Sequence, residues 1–258
     1  SDKSLDYVEI GYMIVEKDQT LAFYETPECS FSSILKKMAA QHQISAWIQR
    51  DAYHSISDPE RWKKTEEYLK PKKIILIDRD GVINKKAPRG GYVTKWEYFS
   101  WIDETREAMK TLAQKGFEFI VISNQAGLER GMLDYDELEK IHHKMKGEIQ
   151  KDGVKILDIY VCPHHWNDNC DCRKPKPGML FQASKEYLFR LDRSIFIGDD
   201  PRDCQAAEKA GCSSVFIGEV VKLKNLRKEE WPIYSSRTLT DAVSVILKHY
   251  SLSKGNII

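Results

Sequence analysis

Five short runs of apolar, mostly β-branched residues alternate with helical stretches over most of the chain, and this rhythm constrains the fold more than any other feature. The runs are 73–78, 117–123, 156–161, 194–198 and 213–217. Helices are predicted at 104–115, 134–151, 178–191, 202–210 and 239–249. Strands that alternate with helices predict an α/β fold with an open, mostly parallel sheet, whose ligands bind at the carboxyl ends of the strands.

The first seventy residues follow a different pattern. They predict a strand at 7–15 and helices at 31–41 and 58–69, and Pro71 then ends the last helix. This content suits a small α+β appendage but hardly an independent domain. We therefore expect an appendage at 1–70 and one main domain at 72–250.

The charge balance and the absence of long apolar runs exclude several classes of protein. Lys and Arg number 40 against 39 Asp and Glu, a net charge of +1, whereas dedicated nucleic-acid binders usually carry a basic excess. No apolar run approaches the roughly 20 residues that span a bilayer, and the sequence does not open on a basic-then-apolar signal segment. We therefore expect a cytoplasmic protein that binds neither a membrane nor nucleic acid.

The first predicted strand ends in a pair of acids. Asp78 and Asp80 flank Arg79 and precede Gly81, so both carboxylates can face one pocket. Phosphoryl transfer to a carboxylate needs such a pair, because one Asp attacks phosphorus while the other protonates the leaving oxygen and later deprotonates water. A helix cap or a plain turn is the alternative explanation of an isolated Asp-x-Asp.

Three later segments place polar groups at strand ends or close to them. Ser123 follows the second strand, and its hydroxyl can bond a phosphate oxygen. Lys174, beside Arg173 in a proline-stiffened turn, can neutralise a nucleophile and a phosphate together. Asp199 and Asp200 follow the fourth strand and suit Mg²⁺, which prefers oxygen ligands. Taken singly, each segment is equally well a turn, a solvated basic loop or a helix cap.

Half of the six cysteines cluster within a short stretch. Cys162 and His164 are followed by Cys170 and Cys172, and three thiolates with one imidazole suit a closed, tetrahedral, structural Zn²⁺ site. His165 is the alternative fourth ligand, and buried free thiols or a disulfide are the alternatives to a metal. Zinc would hold this loop in a fixed conformation and so orient the turn that follows it, which contains Arg173 and Lys174.

The elements Asp-x-Asp-Gly, Ser-Asn, Lys and Gly-Asp-Asp occur in the order of the haloacid dehalogenase (HAD) superfamily, which the predicted main domain resembles. The resemblance implies a Rossmann-like sheet with Asp78 as nucleophile, Asp80 as general acid and base, and Ser123 and Lys174 as phosphoryl contacts. It also implies Mg²⁺ held by the side chains of Asp78 and Asp199 and by the backbone carbonyl of Asp80. The dehalogenases of the superfamily need only one Asp in the first motif, so Asp80 favours a phosphatase.

The cysteine pattern narrows the resemblance to one branch of the superfamily. The segments 78–84, 91–93, 162–164 and 170–179 are similar to the zinc-containing branch, which holds D-glycero-D-manno-heptose 1,7-bisphosphate 7-phosphatases and histidinol-phosphate phosphatases. The stretch between the first two strands is too short for a separate cap domain, as is typical of this branch. Loops are therefore expected to shape the substrate pocket.

The resemblance implies a small phosphorylated sugar as the substrate. The second phosphate of a heptose bisphosphate needs extra cations, and Arg130 and Arg173 are positioned by motif to bind it as bidentate donors. Asn124 and Gln125 are further substrate contacts by motif. The product would enter nucleotide-heptose synthesis for surface polysaccharide. Histidinol phosphate, a nucleic-acid 3′-phosphate and a binding module with a decayed site are the alternatives.

Two segments before Pro71 resemble the C-terminal end of a sugar-phosphate nucleotidyltransferase. They are Val8-Glu-Ile-Gly-Tyr-Met-Ile14 and the stretch 55–69, although Ser57-Asp58 stands where that family has Gly-Thr. The resemblance implies a fragment of a fused or associated nucleotidyltransferase, and an unrelated extension is the alternative. The Gly-rich loop and metal-binding acids of that family are not in this sequence, so we expect no nucleotidyl transfer.

Overall fold

The structure is a computed structural model and describes residues 13–24, 26, 29–46, 53–88 and 90–252. The chain divides into two compact units, Ser1–Arg50 and Asp51–Ile258. The boundary expected at Pro71 lies later in the chain than this division, since the helix at Pro59–Leu69 groups with the second unit.

A parallel sheet of six strands organises the second unit. The strands are β1 Ile74–Ile77, β2 Glu118–Asn124, β3 Ile156–Cys162, β4 Ile195–Gly198, β5 Ser213–Ile217 and β6 Tyr234–Ser236. They pair in the order β3-β2-β1-β4-β5-β6. The chain therefore reverses its direction across the sheet at the β1–β4 pair, and such switch points hold the ligands of open α/β sheets.

Helices cover both faces of this sheet. Numbered along the chain, the described helices are α1 Lys17–Leu21, α2 Phe31–Ala40, α3 Pro59–Leu69, α4 Asp103–Gln114, α5 Tyr135–Lys151, α6 Gly178–Tyr187, α7 Pro201–Lys209 and α8 Leu239–Leu252. Ile75 and Ile77 of β1 pack in one core layer with residues of α4, α5 and α8, whereas Ile74 and Leu76 pack in the other with α6 and α7. Because β1 is buried on both faces, all four of its residues are apolar.

The expected α/β fold with a parallel sheet is confirmed, and all five predicted strands form. β6 is not among the predicted strands, because Tyr-Ser-Ser is a three-residue edge strand without an aliphatic side chain. The helix expected to run to Leu191 ends at Tyr187, because Leu188 adopts a left-handed φ of 49°. Between β1 and α4 the described residues form loops, isolated bridges and one 3-10 turn, with no separate cap domain.

The described part of the first unit contains α1 and α2. Ser30 caps α2 by accepting the Ser33 N–H at 3.2 Å, and Ile34 and Met38 are buried, so the helix expected at 31–41 is confirmed. Of the strand expected at 7–15, residues 7–12 lie outside the described residues, and residues 13–15 belong to no strand. Within the described ranges of the chain, no helix is both long and apolar enough to cross a membrane.

Candidate active site

Three buried carboxylates meet where β1 and β4 end. The N–H of Asp78 donates to the carbonyl of Ile197 in β4 at 2.9 Å, which sets the end of β1 beside Asp199. Asp203 comes from the first turn of α7, and all three acids are buried. Each offers an oxygen, and these oxygens lie within 4.8 Å of one another. Such spacing lets one divalent cation bind more than one of them.

Two glycines make this crowding feasible. Gly81 has a φ of +98°, a conformation that favours glycine, and a Cβ there would lie 2.4 Å from Asp199 Oδ2. A Cβ on Gly198 would lie 2.3 Å from the Cβ of Asp203. A side chain at either position would push the acids apart, so both glycines are packing requirements of the site.

Lys174 is the counter-ion of the acids. Its Nζ lies 2.9 Å from Asp78 Oδ1 and 2.8 Å from Asp203 Oδ1, and it donates to the Ile122 carbonyl at 2.9 Å. Burial would lower the pKa of this lysine, but the two carboxylates outweigh burial and raise its pKa. Burial raises the pKa of Asp78 to about 7, against the opposing charge of Lys174. Asp78 therefore depends on nearby cations to remain ionised at neutral pH.

Asp80 is held by N–H donors from three side chains. Arg79 Nη2 donates to Oδ1 and Oδ2 at 3.1 and 2.9 Å. Asn84 Nδ2 donates to Oδ1 at 2.9 Å, and Gln125 Nε2 donates to Oδ2 at 2.6 Å. Burial would raise the pKa of Asp80, but the Arg79 charge and these hydrogen bonds outweigh it, so the pKa is lowered. The carboxylate is thereby fixed in position and stabilised in its charged form.

Arg79 joins Asp80 to a histidine of α5. Its side chain is fully buried, and its Nη1 lies 3.0 Å from Nε2 of His142. Because a guanidinium can only donate, Nε2 is the acceptor, and the ring is neutral with its proton on Nδ1. Burial, together with the charge of Arg79, lowers the pKa of His142 to about 3.

Lowering the pH from 7 to 5 should destabilise the fold through His142. The folded protein keeps the ring neutral with a pKa of about 3, whereas the unfolded chain takes up a proton near the ordinary pKa of 6.5. Below pH 6.5 the free energy of unfolding therefore falls by roughly 1.4 kcal/mol for each pH unit, a loss of about 2 kcal/mol at pH 5. Arg79 and Lys146 strengthen this effect, and Asp80 opposes it.

Urea unfolding at the two pH values measures this contribution. His142→Gln does not titrate, so its free energy of unfolding should fall by about 2 kcal/mol less than that of the wild type. His143→Gln, one position along on the exposed face of α5, should match the wild type. Equal losses in all three proteins would contradict the prediction.

A cavity of about 110 Å³ lies at this edge of the sheet. It is lined by Asp78, Asp80, Lys86, Ser123, Asn124, Lys174, Asp200, Arg202 and Asp203. The buried Ser123 Oγ accepts from Gln125 Nε2 at 2.9 Å, so its own proton can be donated to a phosphate oxygen. Asn124 exchanges two 3.1 Å hydrogen bonds with the backbone of Lys174 and so fixes the base of that side chain.

The acids of the cavity fit a hard divalent cation. Asp199 Oδ2 pairs with Lys86 Nζ at 2.7 Å, whereas Oδ1 is buried and has no hydrogen-bond partner among the described residues. Burial raises the pKa of Asp199, and Lys86 opposes this shift. A buried carboxylate oxygen without a donor is costly unless a cation binds it. The donor set of Asp78 and Asp199 therefore fits Mg²⁺, which prefers oxygen ligands.

Asp200 stabilises the start of α7. Its carboxylate accepts from the N–H of Arg202 at 3.0 Å and from the Arg202 side chain at 2.8 Å through both Nε and Nη2. Burial would raise the pKa of Asp200, but Arg202 outweighs it and lowers the pKa to about 2. In return, Asp203 Oδ2 accepts the N–H of Asp200 at 3.0 Å, which completes a capping box. The helix-cap explanation thus describes Asp200.

The two arginines expected to bind a second phosphate are not among the residues that line the cavity. Arg130 is exposed and lies over the rings of Tyr92 and Trp166, with its charge centre 5.8 and 5.3 Å from their centroids. Arg173 Nη1 donates to the His164 carbonyl at 3.2 Å. Trp166 belongs to the cysteine loop, so this loop supports both guanidinium groups.

The cysteine cluster has the dimensions of a tetrahedral metal site. The sulfur atoms of Cys162, Cys170 and Cys172 lie 3.3 to 3.7 Å apart, and His164 Nδ1 lies 3.6 and 3.1 Å from Cys162 and Cys172. Four ligands on one zinc ion with Zn–S bonds of about 2.3 Å have sulfurs about 3.8 Å apart. The three cysteines are free thiols, and the His165 ring instead lies against Trp166, with the ring centroids 3.8 Å apart and the planes tilted by 35°. The donor set therefore fits Zn²⁺, with His164 as its nitrogen ligand.

Replacing Cys172 with serine tests whether the cluster binds zinc and whether the metal stabilises the loop. We expect loss of about one equivalent of zinc and a fall of roughly 3 kcal/mol or more in the free energy of unfolding, because metal binding contributes directly to folding. Elemental analysis and urea unfolding measure the two effects. Cys29→Ser, outside the cluster, is the matched control and should retain the metal. A wild-type protein without zinc would refute the site.

Several residues around the cavity are not predicted from the sequence. Local pattern indicates Asp203 only as a helix cap, whereas the structure also brings its carboxylate close to those of Asp78 and Asp199 and to Lys174. His142 carries a usable signal, since it lies on the buried face of α5 beside Ile141 and Met145. Lys86 and Arg202 carry no such signal, because their roles depend on loop geometry.

Comparison with known proteins gives a consistent group of relatives. Residues 73–216 match the family described as polynucleotide kinase 3 phosphatase. The chain is 36% identical over 152 residues to the D-glycero-alpha-D-manno-heptose-1,7-bisphosphate 7-phosphatase of Photorhabdus laumondii, which covers 56% of this chain and 81% of the relative. It is 32% identical over 184 residues to the D-glycero-beta-D-manno-heptose-1,7-bisphosphate 7-phosphatase of Yersinia pestis, which covers 67% of this chain and 96% of the relative.

A solved structure shows the same fold. The D,D-heptose 1,7-bisphosphate phosphatase from B. bronchiseptica, complexed with magnesium and phosphate, superposes with a TM-score of 0.62 at 30% sequence identity. The match covers 68% of this chain and 98% of that chain. That relative therefore binds the cation and the anion for which the acids, Ser123 and Lys174 of this chain are suited.

Proposed function

This chain belongs to the polynucleotide kinase 3 phosphatase family and is a relative of the heptose-1,7-bisphosphate 7-phosphatases, and on that premise we propose that it is a HAD-type phosphatase acting on D-glycero-D-manno-heptose 1,7-bisphosphate. It removes the C7 phosphate, and the heptose 1-phosphate product feeds nucleotide-heptose synthesis. The observation that carries the proposal is the meeting of Asp78, Asp80, Ser123 and Lys174 around one cavity. The names of the relatives support the choice of sugar.

The first half of the reaction transfers the phosphoryl group to Asp78. A carboxylate oxygen of Asp78 forms a bond to phosphorus while the bond from phosphorus to the sugar oxygen breaks. The electron pair of the broken bond goes to the sugar oxygen, which takes a proton from Asp80. In the free site the pKa of Asp80 is lowered, so this step requires that the negative charge of the bound phosphate favours the protonated carboxyl. Lys174, held 2.9 Å from Asp78, and the hydroxyl of Ser123 stabilise the charge on the phosphoryl oxygens.

The second half releases phosphate and restores the enzyme. Asp80 takes a proton from water, the water oxygen bonds to phosphorus, and the bond from phosphorus to Asp78 breaks. Mg²⁺, when bound, polarises the phosphoryl oxygens and offsets their charge. The side chains of Asp78 and Asp199 and the backbone carbonyl of Asp80 are the groups we propose to hold it.

Arg130 and Arg173 are proposed to bind the second phosphate of the substrate. Asn124 and Gln125 are proposed to act indirectly, by hydrogen bonds to other residues of the site. Arg130 lies over the rings of Tyr92 and Trp166 and donates through Nη1 to the Tyr92 hydroxyl at 3.3 Å, and its remaining N–H groups are proposed to bind an anion. Asn124 acts by fixing Lys174, and Gln125 acts by holding Asp80 and Ser123.

Arg130→Ala should raise KM for the bisphosphate by about tenfold, the equivalent of one charge-assisted hydrogen bond. Turnover of heptose 7-phosphate, which lacks the second phosphate, should change by less than about twofold. Steady-state kinetics on both sugars measures the difference. Arg61→Ala on α3 is the control and should match the wild type, and equal losses on both sugars would contradict the assignment of Arg130.

A phosphate-release panel tests the proposed function. It contains both anomers of the heptose bisphosphate, histidinol phosphate and an oligonucleotide with a 3′-phosphate, each with and without Mg²⁺. We expect kcat/KM for a heptose bisphosphate to exceed the other substrates by about tenfold or more, since a site built for two phosphates discriminates against substrates with one. A preference for histidinol phosphate would overturn the choice of substrate.

The name of the matched family favours one second candidate, a nucleic-acid 3′-phosphatase. This candidate predicts binding that weakens steeply with salt, because phosphate contacts along a strand release counterions. The net charge of +1 and the names of the relatives favour the sugar. The oligonucleotide arm of the panel separates the two.

Three further properties belong to the proposal. Zn²⁺ at the cysteine cluster is structural, and its thiolate ligands suit the reducing cytoplasm. Residues 1–70 are proposed to be related to the end of a nucleotidyltransferase; the family match beginning at residue 73 supports a sequence boundary near Pro71, whereas α3 groups with the second compact unit. The chain should therefore form no nucleotide sugar from a sugar 1-phosphate and a nucleoside triphosphate, and a radiolabelled assay checks this.

A further inference from the structure

A buried chain of hydrogen bonds runs from α5 to the acid beside the nucleophile. His142 lies on the buried face of α5 and is only 4% exposed. Its Nε2 accepts from Arg79 Nη1 at 3.0 Å, and Arg79 Nη2 reaches both oxygens of Asp80 at 3.1 and 2.9 Å. A rigid helix of the core is therefore connected to Asp80 through one planar group.

We infer that Arg79 and His142 act together as positioning residues for Asp80. A guanidinium is a flat fork of N–H groups, so an acceptor on one edge fixes the direction of the other edge. Arg79 is 0% exposed, and a buried N–H without an acceptor is costly, so Arg79 would rotate if His142 could not accept. His142 thus sets the contribution of Arg79 to the position of Asp80 during both of its proton transfers, beside the hydrogen bonds from Asn84 and Gln125. The inference rests on the phosphatase function proposed above.

The position of Asp80 matters differently for different leaving groups. A sugar oxygen leaves with the proton of Asp80, whereas 4-nitrophenolate is a weak base and leaves without one. The hydrolysis of the aspartyl-phosphate is common to both substrates and needs Asp80 as the base. With 4-nitrophenyl phosphate, a defect confined to Asp80 should therefore leave the first step, phosphoryl transfer to Asp78, unchanged and slow only the second. The kcat/KM value for this substrate measures the first step.

His142→Leu tests the inference, because leucine suits the buried helix face but cannot accept from Arg79. For the heptose bisphosphate we expect kcat/KM to fall by about tenfold or more. For 4-nitrophenyl phosphate we expect kcat/KM to stay within about threefold while kcat falls by about tenfold, with a burst of one nitrophenolate per site. His142→Gln keeps an acceptor and should recover most of each loss. His143→Leu, on the exposed face of α5, is the matched control.

Two results with the variants would overturn the inference. One is an equal fall in kcat/KM on both substrates, which indicates that His142 supports the site as a whole. The other is a glutamine variant as impaired as the leucine variant although both fold, as monitored by circular dichroism. If the wild type does not hydrolyse the heptose bisphosphate, only the proposed substrate is overturned. The comparison with the aryl phosphate is then made with histidinol phosphate, which also has an alkyl leaving group. A wild type that hydrolyses aryl phosphates alone would refute a proton-donating Asp80 and the inference with it.

Discussion

Asp78→Asn should lower kcat by about 10⁴-fold or more on every phosphate monoester, because the neutral amide cannot attack phosphorus. The same change should leave the free energy of unfolding within about 1 kcal/mol of the wild type. Asparagine is nearly isosteric, and it removes one charge from a cluster in which burial already raises the pKa of the aspartate to about 7. Phosphate release and urea unfolding, measured on the same preparation, check both statements.

The aspartyl-phosphate gives an independent test of the same residue. Acid quenching during turnover should trap the phosphoryl group on the peptide that contains Asp78, and mass spectrometry should find none in the asparagine variant. Asp136→Asn, an exposed acid of α5, is the control and should retain full turnover and the labelled peptide. Activity that survives in the Asp78 variant would remove the nucleophile from the proposed mechanism.

The strands and the motifs at their ends could be predicted because both depend on short-range sequence. Buried parallel strands are continuous apolar runs, and the ends of such strands meet at one edge of the sheet. These two rules, applied to the sequence alone, are sufficient to bring Asp78, Ser123 and Asp199 together. β6 escapes them, because a three-residue edge strand carries too little apolar sequence to be distinguished from a turn.

The residues that escape sequence reasoning depend on long-range packing. Arg79 sits between two motif acids, but its direction is set by His142, which lies sixty-three positions away in sequence. Arg130 is expected at the phosphate by motif, yet its surroundings are the rings of Tyr92 and Trp166 on two other loops. Local sequence patterns predict which residues lie at the end of a strand. They do not predict contacts between side chains of different loops, because those contacts depend on the tertiary structure.

Lys174→Met should damage both activity and stability, in contrast to the change at Asp78. Lys174 is 3% exposed and pairs with Asp78 at 2.9 Å and Asp203 at 2.8 Å. Its removal leaves two buried carboxylates without their counter-ion, and breaking a buried ion pair in this way costs about 3–5 kcal/mol. The lost charge should also lower kcat by about 10³-fold, since Lys174 faces the charge that develops on the phosphoryl oxygens.

The comparison of the two variants separates chemistry from folding at this site. Urea unfolding of Lys174→Met should show the loss, and Mg²⁺ should restore part of it, because the cation binds the same acids. Lys176→Met, in the same turn but partly exposed, should cost less than about 0.5 kcal/mol and leave turnover unchanged. A Lys174 variant as stable as the wild type in the absence of Mg²⁺ would mean that the acids do not carry the charges assigned to them. The buried lysine would then serve the phosphate alone, and the cluster would be held by protonated carboxyls.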